Sequence, residues 1–190
     1  MSEIKSAAFV KGVVGGEGLP EVILPQIAFV GRSNVGKSSV INALVGMKGL
    51  AISSSTPGRT LQINFFLINE DTYFVDLPGY GYSKQSLKFA DKMRRMIMWY
   101  LEQNENGPEK VVLIIDANIG PTKFDIEMKD LLEENEYEFI IVANKIDKVK
   151  NSELVKKKRE IMEKMETENI VYFSSKTKQG REELLDKIFA

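Results

Sequence analysis

The sequence predicts a three-layer α/β domain with a mostly parallel sheet, and three observations carry that prediction. Near-continuous β-branched or aromatic runs recur along the chain: "QIAFV" (Gln26–Val30), "VVLIID" (Val111–Asp116), "FIIVA" (Phe139–Ala143) and "IVYF" (Ile170–Phe173). Strands buried on both faces of a parallel sheet have this form. Helical patterns alternate with these runs, as helices packed on both faces of a sheet require. Finally, "GRSNVGKS" (Gly31–Ser38) joins the first run to a helix with the spacing G-x-x-x-x-G-K-S/T.

Each element follows in order. The N-terminal stretch that opens "MSEIKSAAFVKGVVGG" has three close-set glycines at Gly15, Gly16 and Gly18 and is expected to be a partly irregular arm, residues 1–24, packed on or leading into a single domain of residues 25–190. A helix over Lys37–Val45 stops at Gly46. In "LQINFFLI" (Leu61–Ile68), Leu61, Ile63, Phe65 and Leu67 alternate with Gln62 and Asn64, which gives a strand with one wetter face. Asn69, Glu70 and Asp71 then turn the chain into "TYFVD" (Thr72–Asp76), so the pair reads as an antiparallel hairpin adding one antiparallel edge strand. Further helices are expected at Leu87–Leu101, Lys123–Glu134, Ser152–Glu166 and Glu182–Phe189, punctuated by Gly107-Pro108 and Gly180.

Composition narrows the chemistry. The 190 residues are 43% hydrophobic and 28% charged, and Lys plus Arg (26) nearly balances Asp plus Glu (27). No net field therefore points to nucleic acid or membrane, and any such partner must be met by a local patch. There is no cysteine and no histidine, which excludes disulfides, thiolate catalysis, the usual zinc sites and histidine acid–base chemistry. No run of about 18 apolar residues and no leader-type apolar stretch occurs, so a cytoplasmic protein without a membrane span is expected.

The residue types of "GRSNVGKS" fit phosphate. Gly31 and Gly36 let backbone N–H groups turn inward, and the following helix adds unpaired N–H groups and its positive end. Lys37 can bridge β- and γ-phosphates, and the Ser38 hydroxyl can ligate Mg²⁺. "DLPG" (Asp76–Gly79) ends the hairpin, where Asp76 can hold Mg²⁺ through water and the Gly79 N–H can sense a γ-phosphate. "NKID" (Asn144–Asp147) ends another strand, and Asp147 can accept from N1–H and N2–H₂ of guanine, a pairing that adenine cannot offer. Asn144 would tie this loop to the phosphate loop, and the Lys145 stem would cover one face of the base. "SSK" (Ser174–Lys176) supplies a backbone N–H for guanine O6, expected at Ser175. Any one of these is a common turn, but together they stand in order at C-terminal ends of strands, where open α/β sheets bind ligands. The ligand is thus expected to be a guanine nucleotide.

Two segments are expected to switch with the nucleotide. "KGLAISSSTPGRT" (Lys48–Thr60) has the composition of a mobile loop, and Thr60 is the candidate hydroxyl that reaches Mg²⁺ only beside a γ-phosphate. "GYGYSKQSLK" (Gly79–Lys88) is the second segment. In Ras-like enzymes a water-positioning glutamine follows D-x-x-G, whereas here that residue is Tyr80, so slow intrinsic hydrolysis is expected.

"GRSNVGKSS", "TPGRTLQINFF", "VDLPGYGYSK" and "FSSKT" together resemble the EngB family, also called YsxC or YihA, bacterial ribosome-biogenesis GTPases of the Era/Ras-like superclass. The likeness runs from about Ile27 to the C-terminus. It departs at "NKID", where the family usually has T-K-x-D, a change that leaves base recognition intact. The resemblance implies a six-stranded sheet with five helices and binding of GTP and GDP with Mg²⁺. It implies nucleotide contacts from Gly31, Arg32, Ser33, Asn34, Val35, Gly36, Lys37, Ser38 and Ser39. Further contacts are expected from Gly58, Arg59, Thr60, Asp76, Gly79, Asn144, Lys145, Asp147, Ser174, Ser175 and Lys176. Mg²⁺ is assigned to Ser38, Thr60 and Asp76, and hydrolysis to Lys37, Thr60, Gly79 and Asn34. Asparagine at the Asn34 position is used by several bacterial GTPases to hold K⁺ in place of an arginine finger, and K⁺ is an expected activator here.

The implied partner is the large ribosomal subunit or its assembly intermediates, with a monomeric switch that is also needed for septum formation. The rival is a GTP-dependent binding module or scaffold whose hydrolysis is incidental; turnover stimulated by ribosomal particles would separate the two. Among basic clusters, Lys84, Lys88, Lys92, Arg94 and Arg95 move with a switch and are candidates for RNA phosphates. "KKKR" (Lys156–Arg159) reads instead as a solvated helix face, because Glu153, Glu160 and Glu163 stand at ion-pairing intervals. Met93, Met96, Ile97 and Trp99 read as core-facing.

Overall fold

The computed structural model describes residues 3–14, 18–52, 62–80, 87–102 and 107–190, with 87–91 described by backbone alone. Five strands run parallel: β2 (Gln26–Gly31), β4 (Thr72–Asp76), β5 (Lys110–Asp116), β6 (Phe139–Asn144) and β7 (Ile170–Tyr172). β3 (Ile63–Ile68) is antiparallel to β4, and β1 (Ala7–Val13) is antiparallel to β3, giving the order β1-β3-β4-β2-β5-β6-β7. The expected α/β architecture is present, but the sheet has seven strands rather than six. The N-terminal arm supplies the extra one. Asn69 explains how it is held: its Oδ1 accepts from the N–H of Lys5 (2.7 Å) and its Nδ2 donates to the Glu3 carbonyl (3.0 Å). Phe9 then packs on Phe66 at 5.7 Å between ring centres. β3 is therefore not the edge; β1 is.

The hairpin between β3 and β4 turns at Asn69 and Glu70, both at positive φ (50° and 63°), and the Asp71 N–H donates to the Ile68 carbonyl at 3.1 Å. Two left-handed residues in succession match the twist of paired strands.

Neighbouring residues along β2 feed opposite cores, as the pleat dictates. Ala28 and Val30 join Met96, Ile97, Tyr100, Leu132, Ile161 and Met165 on one face. Those residues come from α2 (Leu87–Glu102), α3 (Lys123–Glu134) and α4 (Leu154–Met165). Ile27 and Phe29 join Val40, Ile41, Leu44, Leu184 and Ile188 on the other, from α1 (Lys37–Val45) and α5 (Arg181–Ile188). Full burial of each large apolar side chain stabilises by about 1.5–3 kcal/mol relative to exposure. Arg181 ties the second layer together, since its Nε and Nη2 donate to the carbonyls of Ala43 (2.9 Å) and Leu44 (2.6 Å) at the open end of α1.

Met93, Met96 and Ile97 are buried and Trp99 packs half-buried against the same core. On α4, Arg159 pairs with Glu163 at 2.9 Å, Glu160 pairs with Lys156 and Lys157, and Lys158 lies over the Tyr172 ring. Lys92 and Arg94 are exposed on α2; Lys84 and the side chain of Lys88 lie outside the described residues. Among the described residues, no helix is long and apolar enough to cross a membrane.

Candidate nucleotide-binding site

The parallel strands all end at one edge of the sheet, and the candidate residues stand there. Gly31 closes β2, and the chain turns through Arg32, Ser33, Asn34 (φ 66°) and Val35 to Gly36, the N-cap of α1, at φ 100°. Gly36 is required twice over: its backbone is left-handed, and a Cβ there would lie 2.5 Å from Nδ2 of Asn144. α1 begins at Lys37, so its unpaired N–H groups and positive end face the turn, the arrangement that binds phosphate.

Beside this turn sits Asp76, the last residue of β4. Its Oδ2 accepts from the Ser38 hydroxyl at 3.0 Å, and its Oδ1 lies 4.0 Å from the Lys37 ammonium. Oδ1 is buried and has no hydrogen-bond partner among the described residues. Burial holds the Asp76 carboxyl above the usual aspartate range, partly offset by the Lys37 charge and the Ser38 hydrogen bond. A hydroxyl and an under-satisfied carboxylate next to a phosphate-binding turn are hard oxygen donors of the kind that suit Mg²⁺.

Gly79 docks directly on the phosphate loop. A Cβ at Gly79 would meet Ser33 N at 2.9 Å, Ser33 Cα at 3.0 Å and Lys37 Nζ at 3.2 Å. The contact is laced by backbone: the Ser33 N–H donates to the Tyr80 carbonyl (2.9 Å) and the Tyr80 N–H to the Gly31 carbonyl (3.2 Å). The Ser33 hydroxyl donates to the Gly79 carbonyl (3.1 Å). The Tyr80 ring is buried, with its hydroxyl donating to Asp125 at 2.9 Å.

The second half of the site is framed by side chains. Asn144, fully buried at the end of β6, donates from Nδ2 to the Val35 carbonyl (3.0 Å) and accepts at Oδ1 from the Ser175 N–H (3.2 Å). One amide thereby joins the phosphate loop, "NKID" and "FSSKT". Lys145, at φ 67°, extends Nζ to the Asn34 carbonyl and to Asp116 Oδ2, each at 2.7 Å. Asp147 is exposed in a short 3₁₀ turn, Ile146–Lys148, and its Oδ1 accepts from the buried Ser174 hydroxyl at 2.7 Å.

The expected phosphate-loop, "DLPG", "NKID" and "FSSKT" residues thus converge, with Ser39 and Lys176 exposed as Asn34 and Asp147 are. Gly58, Arg59 and Thr60 lie outside the described residues. Two residues were not singled out from the sequence. Asp116 ends the quoted run "VVLIID", and a carboxylate closing a buried strand was a visible sign. Asp125 carried only the T-x-x-D spacing from Thr122, which marks a helix cap and not a site.

A phosphate loop on a parallel sheet, with "DLPG" and "NKID" at neighbouring strand ends, defines a P-loop GTPase domain. A family model described as "50S ribosome-binding GTPase" matches residues 26–145. A "Probable GTP-binding protein EngB" of Clostridium perfringens is 44% identical over 190 residues, covering 98% of this chain and 96% of the relative. Its counterpart in Clostridium acetobutylicum is 45% identical over 188 residues, covering 97% and 94%. The chain belongs to the EngB family of GTP-binding proteins. Among solved structures, a probable GTP-binding protein EngB superposes with a TM-score of 0.72 at 27% identity, covering 86% of this chain and 96% of that one. Era, in complex with MgGDPNP and nucleotides 1506–1542 of 16S ribosomal RNA, gives 0.67 at 27% identity, covering 88% of this chain and 56% of that one.

Proposed function

We propose that this protein is a GTP-hydrolysing switch, with residues 25–190 as its single GTP-binding unit, that acts on the large ribosomal subunit or its assembly intermediates. It works as a cytoplasmic monomer whose loss impairs septum formation through ribosome supply. The observation that carries the reading is the convergence of Lys37, Ser38, the under-satisfied Asp76 and Gly79 at the phosphate end with Asn144 and Asp147 at the base end. The 50S ribosome-binding description of the family supports the choice of partner, and the 16S ribosomal RNA bound by Era supports a ribosomal RNA surface in general, not the large subunit in particular.

In this reading the N–H groups at the start of α1 hold the α- and β-phosphates, and Lys37 reaches the β- and γ-phosphates. Asp147 pairs with the guanine edge and Lys145 covers one face of the base; the Ser175 N–H, expected at O6, donates instead to Asn144 Oδ1 in this structure. Ser38 and Asp76, with Thr60 as a further donor, would hold Mg²⁺, which when bound neutralises charge on the phosphate oxygens. Tyr80 cannot orient a water, because its ring is buried and its hydroxyl is committed to Asp125. Intrinsic hydrolysis is therefore slow, and K⁺ at Asn34 or the ribosomal partner completes the site. Equal turnover in K⁺ and Na⁺ buffers would remove the K⁺ part.

Co-sedimentation with purified ribosomal subunits tests the partner. Protein carrying a non-hydrolysable GTP analogue should pellet with the large subunit, and protein carrying GDP should stay in the supernatant. Absence from the pellet in both states would reject the ribosomal reading while leaving the nucleotide site untouched.

A further inference from the structure

Asp125 has no solvent exposure, and it gathers hydrogen bonds and an ion pair from three parts of the chain. Its Oδ2 accepts from the Thr122 N–H (2.9 Å), one half of the capping box of α3, and from the Thr122 hydroxyl (2.8 Å). The same oxygen lies 3.3 Å from Nε of Arg32, and Oδ1 accepts from the Tyr80 hydroxyl at 2.9 Å. Capping needs only the Thr122 bonds. The remaining contacts, an ion pair from Arg32 in the phosphate loop and a hydrogen bond from Tyr80 after Gly79, come from residues that pair with each other as a parallel bridge.

A carboxylate without water is strongly unfavourable unless charge and hydrogen bonds compensate it. Here one of its three hydrogen bonds, that from the Tyr80 hydroxyl, exists only while Gly79 and Tyr80 are docked on the phosphate loop. Moving that segment outward would strip Asp125 of the Tyr80 hydroxyl and break the Ser33–Tyr80 and Tyr80–Gly31 backbone bonds together.

We propose that Asp125 is a positioning residue for the triphosphate. Through Tyr80 and Arg32 it holds Gly79 against Ser33 and Lys37, so that a γ-phosphate meets the Gly79 N–H and the Lys37 ammonium on a segment already in place. This rests on the reading that Gly79 and Lys37 receive the γ-phosphate. Asp125 then sets the preference for GTP over GDP, because the α- and β-phosphates are held by N–H groups at the start of α1 that do not depend on Gly79.

The test titrates the full chain and its variants with GDP and with a non-hydrolysable GTP analogue in Mg²⁺. Tyr80→Phe keeps the ring and removes one bond to a charged acceptor, so analogue affinity should fall about tenfold while GDP affinity holds. Combining it with Asp125→Asn should add little to Asp125→Asn alone, as expected for groups acting in one unit. Thr122→Val weakens the cap without touching Tyr80, and should lower the melting temperature with the GTP-to-GDP affinity ratio unchanged. An equal loss of both nucleotides in Tyr80→Phe, no loss, or a gain of analogue affinity would each overturn the proposal. Asp125→Asn risks misfolding, so Tyr80→Phe decides. Gly79→Ala tests the underlying reading separately: wild-type preference in that variant rejects Gly79 as the sensor, whereas wild-type preference in Tyr80→Phe rejects only the role of Asp125.

Discussion

At the phosphate end, Asp76 keeps a buried oxygen with no hydrogen-bond partner among the described residues, 4.0 Å from the Lys37 ammonium. At the base end, Asn144 has both ends of its amide engaged and Ser174 has donated its hydroxyl to Asp147. The first region stores unsatisfied charge and left-handed backbone that a ligand would complete; the second is a frame already closed on itself. A phosphate is recognised by charge and by many N–H groups, so its cradle must be under-satisfied beforehand. A base is recognised by shape and a few directed bonds, so its frame must be rigid beforehand.

The largest effect that would sharpen this contrast is expected at Asp147. In Asp147→Asn the guanine N2–H₂ would face an amide in place of a carboxylate. GDP affinity should fall by at least about 100-fold and xanthosine diphosphate should become the better ligand, as read by calorimetric titration. Retained guanine preference would move recognition elsewhere. Next comes Asn144→Ala, which cuts the link between the two ends. Loss of two bonds at a fully buried amide should destabilise the nucleotide-free protein by roughly 2–4 kcal/mol in urea unfolding. A change under about 0.5 kcal/mol would show that the base frame does not depend on the phosphate loop.

Asp76→Asn gives the smallest effect and the opposite sign. The folded state raises the Asp76 pKa above its ordinary value of 3.8, chiefly by burial, so the charged carboxylate destabilises the nucleotide-free fold. A raised carboxyl pKa means that the native state holds its proton more tightly, so stability from this group is lost as pH rises above that ordinary value. At neutral pH the Asp76→Asn variant should therefore melt higher than wild type without nucleotide, with the advantage shrinking toward pH 4. With GDP and Mg²⁺ the order should reverse. A variant that melts lower without ligand would mean that Asp76 is structural, like the base frame.

The two regions were also unequally legible in the sequence. "GRSNVGKS" and "NKID" announce themselves because their chemistry fixes residue type and spacing locally. α3 spans Lys123 to Glu134, as its sequence places it, and it begins there because Thr122 and Asp125 form a capping box just after Gly120-Pro121. β1 was not legible: Ala8, Phe9 and Val10 are all exposed, so no two-residue alternation marks the strand. Its existence depends on pairing with β3, 50 or more residues along the chain. The burial of Asp125 was hidden for the same reason. An acidic residue in the first turn of an amphipathic helix reads as solvated, and its partner Tyr80 is 45 residues away.

The direction of β1 matters at the bench. Ala7 pairs beside Ile68 at the hairpin turn, while Val13 pairs beside Ile63 toward the opposite edge, where the strands present the nucleotide residues. A tether fixed ahead of β1 would leave the chain at the end of the sheet remote from Asp76 and Gly31. A sensor surface carrying the protein by that anchor would present the nucleotide mouth outward, whereas an internal anchor near Ser39 would obstruct it.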